Sequence, residues 1–149
     1  MDAEAQLNAF IARFTPEVAS DAHQALAFMT ERLPTATRLV YDNYNALVVT
    51  FGASEKPADI ILSIALYPRW VTLFFLNGTE LPDPHALLEG SGSTIRGVRL
   101  QPISRLAALE VGALIDAAVA NARPLPPIGE GPLLIKSVAA KQRPRRPKG

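Results

Sequence analysis

Apolar residues recur at helical spacing where the chain begins. Leu7, Phe10, Ile11 and Phe14 stand at i, i+3, i+4 and i+7, one stripe of a short helix starting near Asp2. A second helix is predicted directly after it. Thr15 is placed to cap it, Pro16 suits its first position and Glu17 opposes its dipole, while Val18, Ala22, Ala25, Leu26, Met29 and Leu33 form its buried stripe. Pro34 ends it. From Thr37 the pattern becomes short runs of Val, Ile, Leu, Phe, Tyr and Trp between turn residues, predicting strands at about 37–42, 46–52, 59–67, 70–77 and 95–101. Their short links favour antiparallel neighbours, because a parallel pair needs a long crossover. Prolines and glycines break the stretch 79–93, leaving room for a helical turn or two around His85 to Glu89. A closing helix is expected from about Arg105 to Asn121, with Val111, Leu114, Ile115 and Ala118 facing inward. The order predicts an α+β two-layer sandwich: an antiparallel sheet of about five strands with helices packed on one face.

Composition sharpens this picture in three ways. With 149 residues, 48% hydrophobic and 19% charged, the chain is the size of one domain and apolar enough to bury a core. It has no cysteine, which excludes disulfides, thiolate zinc sites and cysteine nucleophiles. Its longest apolar stretches, such as Trp70 to Leu76, fall far short of the roughly 20 residues a membrane-spanning helix needs, and no basic start leads into an apolar signal segment. A cytoplasmic protein with no membrane partner is therefore expected.

The net charge of +1 conceals a segregation. Residues 136–149 hold Lys136, Lys141, Arg143, Arg145, Arg146 and Lys148 and no acid, whereas the nine basic and fourteen acidic residues before them give a formal charge of −5. Six of the thirteen prolines lie between Pro124 and Pro147, a density that excludes a helix and weakens any strand assignment. The chain thus divides into a domain over 1–122 and a Pro-rich basic tail over 123–149, expected to be extended or disordered apart from the Pro-free run Leu133 to Val138.

Most catalytic constellations fail against this frame. The phosphate-loop, zinc-helix and nucleophile-elbow patterns are absent, and only His23 and His85 could serve as bases. Gly90-Ser91-Gly92 opens like a dinucleotide fingerprint, but Ile95 occupies the third glycine position and a strand follows instead of a helix. Two local clusters remain. Glu80, Asp83, His85 and Glu89 offer ligands that iron, manganese or zinc accept, although Asp83 before Pro84 is also an ordinary turn residue. The loop Gly90, Gly92, Ser93 and Thr94, followed by Arg96, could present backbone N–H groups and a guanidinium to an anion, although glycines equally serve a tight connection. Trp70, Tyr41, Tyr44 and Tyr67 sit among the strands, where aromatic residues usually pack on the sheet.

Three runs in order carry a family likeness: 39–47 (Leu-Val-Tyr-Asp-Asn-Tyr-Asn-Ala-Leu), 63–71 (Ser-Ile-Ala-Leu-Tyr-Pro-Arg-Trp-Val) and 87–92 (Leu-Leu-Glu-Gly-Ser-Gly). Together they resemble the YdhG-like family, a domain of unknown function, over about residues 5–122. The ending Ile135-Lys136-Ser137-Val138 with Gln142-Arg143-Pro144-Arg145-Arg146-Pro147 is similar to the tail of one branch of that family. The resemblance implies a frataxin-like fold and, for some members, a role as an iron chaperone. The family usually follows its glycine loop with Lys, two residues, Arg and His. Here Ser93 stands for the Lys, Arg96 keeps the Arg and Gly97 replaces the His.

Two functional expectations follow. One is a non-enzymatic protein binding a small anionic ligand, or weakly a metal such as iron, at Arg96, the 90–94 loop, and Tyr44 or His85. The other is an interaction module whose basic tail contacts nucleic acid or an acidic partner. The identity of any cofactor and the oligomeric state stay open at this level.

Overall fold

In a computed structural model, which describes residues 1–148, both leading stripes wind into helices capped as their sequences dictate. In α1 (Ala3–Ile11) the Asp2 carboxylate accepts the Ala5 N–H at 2.8 Å, and in α2 (Pro16–Arg32) the Thr15 hydroxyl accepts the Val18 N–H at 3.3 Å. These bonds satisfy donors that a helix start leaves free. The strands follow as β1 (Thr37–Asp42), β2 (Leu47–Gly52), β3 (Ile60–Leu66), β4 (Val71–Phe75) and β5 (Arg96–Arg99), joined antiparallel in sequence order. The helix α3 (Leu109–Asn121) and a sixth strand, β6 (Leu133–Val138), complete an α+β fold with sheet order β5-β4-β3-β2-β1-β6. No helix among the described residues is long and apolar enough to cross a membrane.

The register separates two faces of unequal character. Val40, Val49, Ile64, Leu73 and Val98 form one row across five strands, all at most 1% exposed, and pack in one core with Ile11, Met29 and Leu114 from the helices and Phe14 from the link between α1 and α2. The opposite row runs Leu39, Thr50, Ser63, Phe74 and Gly97, and no described helix lies on it. Leu39, Thr50, Ser63 and Ala65 are nevertheless buried on that side. Burial on both faces explains why β3 reads as a nearly unbroken apolar run instead of an alternating one. On the edge strand, Gly97 lies under the Phe74 ring: a Cβ there would come within 2.8 Å of the ring carbons. An edge glycine covered by a cross-strand aromatic is a recurrent way to keep such a strand paired.

The structure departs from the sequence expectation at three places. No helical turn forms around His85; the Asp83 carboxylate instead accepts the N–H groups of Leu87 and Leu88, both at 2.9 Å, with Ala86 at a positive φ of 52° between them. An aspartate that satisfies these amides directly removes the need for a helix to do so. The closing helix is split, a 3₁₀ stretch over Ile103–Ala107 preceding α3, because Ala108 is extended.

The third departure concerns the tail. Its prolines fall on either side of 133–138, so the run keeps its N–H groups and pairs parallel with β1, while Leu133 and Ile135 pack against the core below α1. Beyond β6 the chain is extended but fixed. The N–H of Ala139 and the side-chain amide of Gln142 donate to the Asp42 carbonyl at 2.8 and 2.9 Å, and the Arg143 N–H donates to the Tyr44 carbonyl at 2.9 Å. Arg145 is only 5% exposed; its guanidinium donates to the Asp42 carboxylate at 2.8 Å and to the Asn43 carbonyl at 2.6 Å, and lies over the Phe14 ring.

Asp42 is itself 1% exposed, and its second carboxylate oxygen has only the distant Arg13 guanidinium, at 3.7 Å. Removing one partner of such a pair strands a buried charge. Arg145→Ala should therefore lower the unfolding free energy by about 3 kcal/mol, the low end of the usual range because Arg13 remains. Adding Asp42→Asn, which discharges the stranded group, should return part of that loss. Urea unfolding of the two variants checks both; an Arg145→Ala protein as stable as the parent would show the clamp to be dispensable.

Candidate functional site

The glycine-loop residues do come together, but on each other. Gly90 has a φ of 142°, a conformation suited to glycine, and a Cβ there would crowd the Arg96 side chain at 3.2 Å. One terminal nitrogen of Arg96 donates to the carbonyls of Gly92 and Ile95, each at 2.7 Å. The Thr94 carbonyl accepts the Thr79 N–H at 3.1 Å, and the Ser93 carbonyl accepts the Thr79 hydroxyl at 3.4 Å. The loop thus turns carbonyl oxygens toward its guanidinium. That polarity holds a cation in place, whereas an anion requires N–H groups.

Tyr44 and His85 stand apart from this cluster. Arg96 pairs with Phe75, and the same row continues through Leu62 and Phe51 to Arg38 at the far end of β1 from Tyr44. Tyr44 is therefore at the opposite end of the sheet and four strands away. His85 is exposed in the loop beside Leu109, Glu110 and Ala113 of α3. Asp83, the middle of the candidate metal ligands, has both oxygens engaged by backbone amides. Among the described residues no group of three or more His, Asp or Glu side chains is disposed to hold a metal ion.

A different site emerges at the Tyr44 end. There the β1–β2 turn (43–46) and the β3–β4 turn (67–70) meet residues 143–148, and together they enclose an open groove of about 630 Å³. Arg69, Arg143, Arg146 and Lys148 line it beside Asn45 and Tyr67, with prolines forming the remaining wall and no acidic side chain. None of the four cations has an ion-pair partner among the described residues. The three tail cations are placed by the clamp next to them, and Arg69 by the β3–β4 turn. Arg145 anchors the chain on Asp42, Arg146 donates through Nε to the Arg13 carbonyl at 3.1 Å, and the Arg143 guanidinium stands 5.6 Å from the Tyr44 ring. The prolines at 144 and 147 limit the backbone freedom of the segment between them.

Sequence reasoning located these residues but did not join them. Arg69 was visible only as part of a turn, and the tail arginines only as charge. Residues 67–69 and the segment 143–148 form the two walls of this groove, with Asn45 beside them. No family model, curated protein or solved structure matches the chain. The site is accordingly read from its own chemistry.

Burial pushes the Tyr67 phenol above its ordinary value of 10.0, since the phenolate would be less well hydrated in the groove wall. The folded state therefore binds this proton more tightly than the unfolded chain. The associated stability is complete below the unfolded value and is lost as pH rises through the folded one. Stability should fall more steeply above about pH 10 in the parent than in Tyr67→Phe. Thermal unfolding of the two proteins between pH 8 and 11 measures the difference; coincident profiles would mean that Tyr67 ionises without restraint.

Proposed function

We propose that this protein is a non-enzymatic polyanion-binding module that engages nucleic-acid phosphates through its fixed C-terminal segment. The observation that supports this reading is the groove itself: four cations without an ion-pair partner among the described residues, no acidic side chain in its described lining, and a backbone that holds them in one place. Loose basic tails attract phosphates too, but a fixed set loses less conformational freedom on binding. The surrounding body is acidic, so the field of the groove contrasts with that of the rest of the surface. Neither histidine lines the groove, which leaves it without a conventional base for hydrolysis.

The small-anion reading at Arg96 is weaker because that guanidinium already satisfies loop carbonyls. An iron-carrying role has no support in the disposition of the carboxylates. A nucleic acid, with one phosphate per nucleotide along its backbone, matches a row of cations better than a single small anion does.

Binding of a labelled single-stranded oligonucleotide to the full chain tests the proposal by fluorescence anisotropy over a salt series. With about four phosphates neutralised, the logarithm of the binding constant should fall with log salt at a slope near −3. Arg146→Ala should weaken binding and flatten the slope by about 0.7, the share of one phosphate on a single strand. Arg96→Ala, on the far edge, should leave the slope unchanged. Absence of salt-dependent binding, or equal loss from Arg96→Ala and Arg146→Ala, removes this assignment.

A further inference from the structure

The helix-free face of the sheet runs directly into the basic groove. Strand alternation places Tyr67 on that face after Ser63 and Ala65, and Trp70 on it before Thr72 and Phe74. Tyr67 and Trp70 face each other across the end of the β3–β4 hairpin, the Tyr67 N–H donating to the Trp70 carbonyl at 2.9 Å. The next row crosses five strands as Tyr41, Val48, Ala65, Thr72 and Arg99. It ends in a stack: the Arg99 guanidinium carbon is 3.6 Å from the centre of the Trp70 ring.

Three features of this surface point one way. Tyr41, Tyr67, Trp70 and Phe74 are all half-buried, so each still presents part of a ring to solvent. The residues between them, Thr50, Ser63, Ala65 and Thr72, are short and buried, and form a low floor bordered by rings. Across the five strands neither row contains an acidic residue, Glu89 adjoining only beyond Gly97 at the far edge, and Arg99 adds a cation at the edge away from the tail. An apolar protein partner would account for the rings. It would not account for a ring surface continuous with four phosphate-seeking cations.

Resting on the polyanion reading above, we infer that the occupant is single-stranded nucleic acid, with its phosphates in the groove and its bases stacked on Tyr67 and the Trp70–Arg99 pair. Interleaved rings and cations are the arrangement that holds unpaired strands, because every base has a π-face and every linkage a charge. A duplex keeps its bases stacked internally and offers the rings nothing. Guanidinium planes stack on bases as aromatic rings do, so Arg99 extends the Trp70 platform. Recognition of this kind is tolerant of sequence.

Trp70 is the only tryptophan in the chain, which makes its emission a direct report on this surface. The full protein is titrated with a thymidine 12-mer, an abasic 12-mer of equal phosphate number, a 12-base-pair duplex and inorganic polyphosphate. The thymidine strand should quench Trp70 and bind at least tenfold more tightly than the abasic strand, while polyphosphate binds without quenching. Tyr67→Ala should cost the thymidine strand about tenfold and the abasic strand less than twofold, and Tyr67→Phe, which keeps the ring, should restore the loss. Should Tyr67→Ala not fold, the comparison of strands on the parent protein decides alone. Equal affinity for thymidine and abasic strands without quenching, or tighter binding of the duplex, overturns the stacking inference and leaves the polyanion reading standing. No binding of any strand or of polyphosphate overturns both.

Discussion

A carboxylate at the end of a central strand cannot remain buried without a counter-charge, and at Asp42 that counter-charge comes from Arg145, 103 residues away. The remainder of the C-terminal architecture follows from bringing them together. To reach Asp42 the chain must return along β1, and the proline-free run 133–138 does so as a parallel sixth strand. Once there, Ala139, Gln142 and Arg143 bond the carbonyls of the β1–β2 turn, and Arg146 bonds the carbonyl of Arg13 between the first two helices. One ion pair thus ties together the sheet edge, a hairpin turn and the helix junction. A hydrophobic pair could have sealed the same gap at lower desolvation cost. A charged pair additionally selects one register for a segment whose composition has little preference of its own.

Segregation of the two sheet faces is the second determinant. The helices bury large residues on one side, while the other is built mostly from Thr, Ser, Ala and Gly between scattered rings. Thr50 retains a buried hydroxyl with no hydrogen-bond partner among the described residues. A third layer would have required larger apolar side chains there to make contact. The face is therefore finished as a surface, with rings at its border.

Much of the fold was legible because it is specified locally. Helix starts were fixed by Asp2 and Thr15, which act within three residues of their own positions, and β1 to β5 were marked by runs between turn residues. What escaped was non-local or hidden by chemistry with two uses. Asp83 reads both as a candidate metal ligand and as a turn residue, and the structure uses it in the turn, where it accepts two backbone N–H groups. Proline density left the run 133–138 standing out as the exception in the tail, but its pairing depends on the edge of β1 and on a clamp that no spacing rule connects. The candidate site divides in the same way. The contact of Arg96 with its loop lies within six residues and could be anticipated, yet it serves the loop. The groove needs Arg69 and Arg146 to meet across 77 positions, and in the sequence these are a turn residue and one charge among several.

Charge placement then gives the molecule a direction. Glu4, Glu17, Asp21, Glu31, Glu110 and Asp116 all belong to the helical layer, where Arg32 is spent on Asp116 at 2.7 Å. Burial holds the Asp21 carboxyl above its ordinary value. The groove cations lie at one end of the sheet, beside the junction of α1 and α2. A polyanion approaching the acidic side chains of the helices meets repulsion, and one approaching the basic end of the sheet meets attraction, so encounters are oriented before any contact forms. Such steering decays within about a Debye length, roughly 8 Å at physiological salt, which is shorter than the width of a six-stranded sheet. Long-range charge therefore selects the end of the molecule, and only short-range contacts can select what rests beside it. On this surface those contacts are the half-buried rings of Tyr67 and Trp70, the nearest groups to the cations able to distinguish a strand with bases from a chain of phosphates alone.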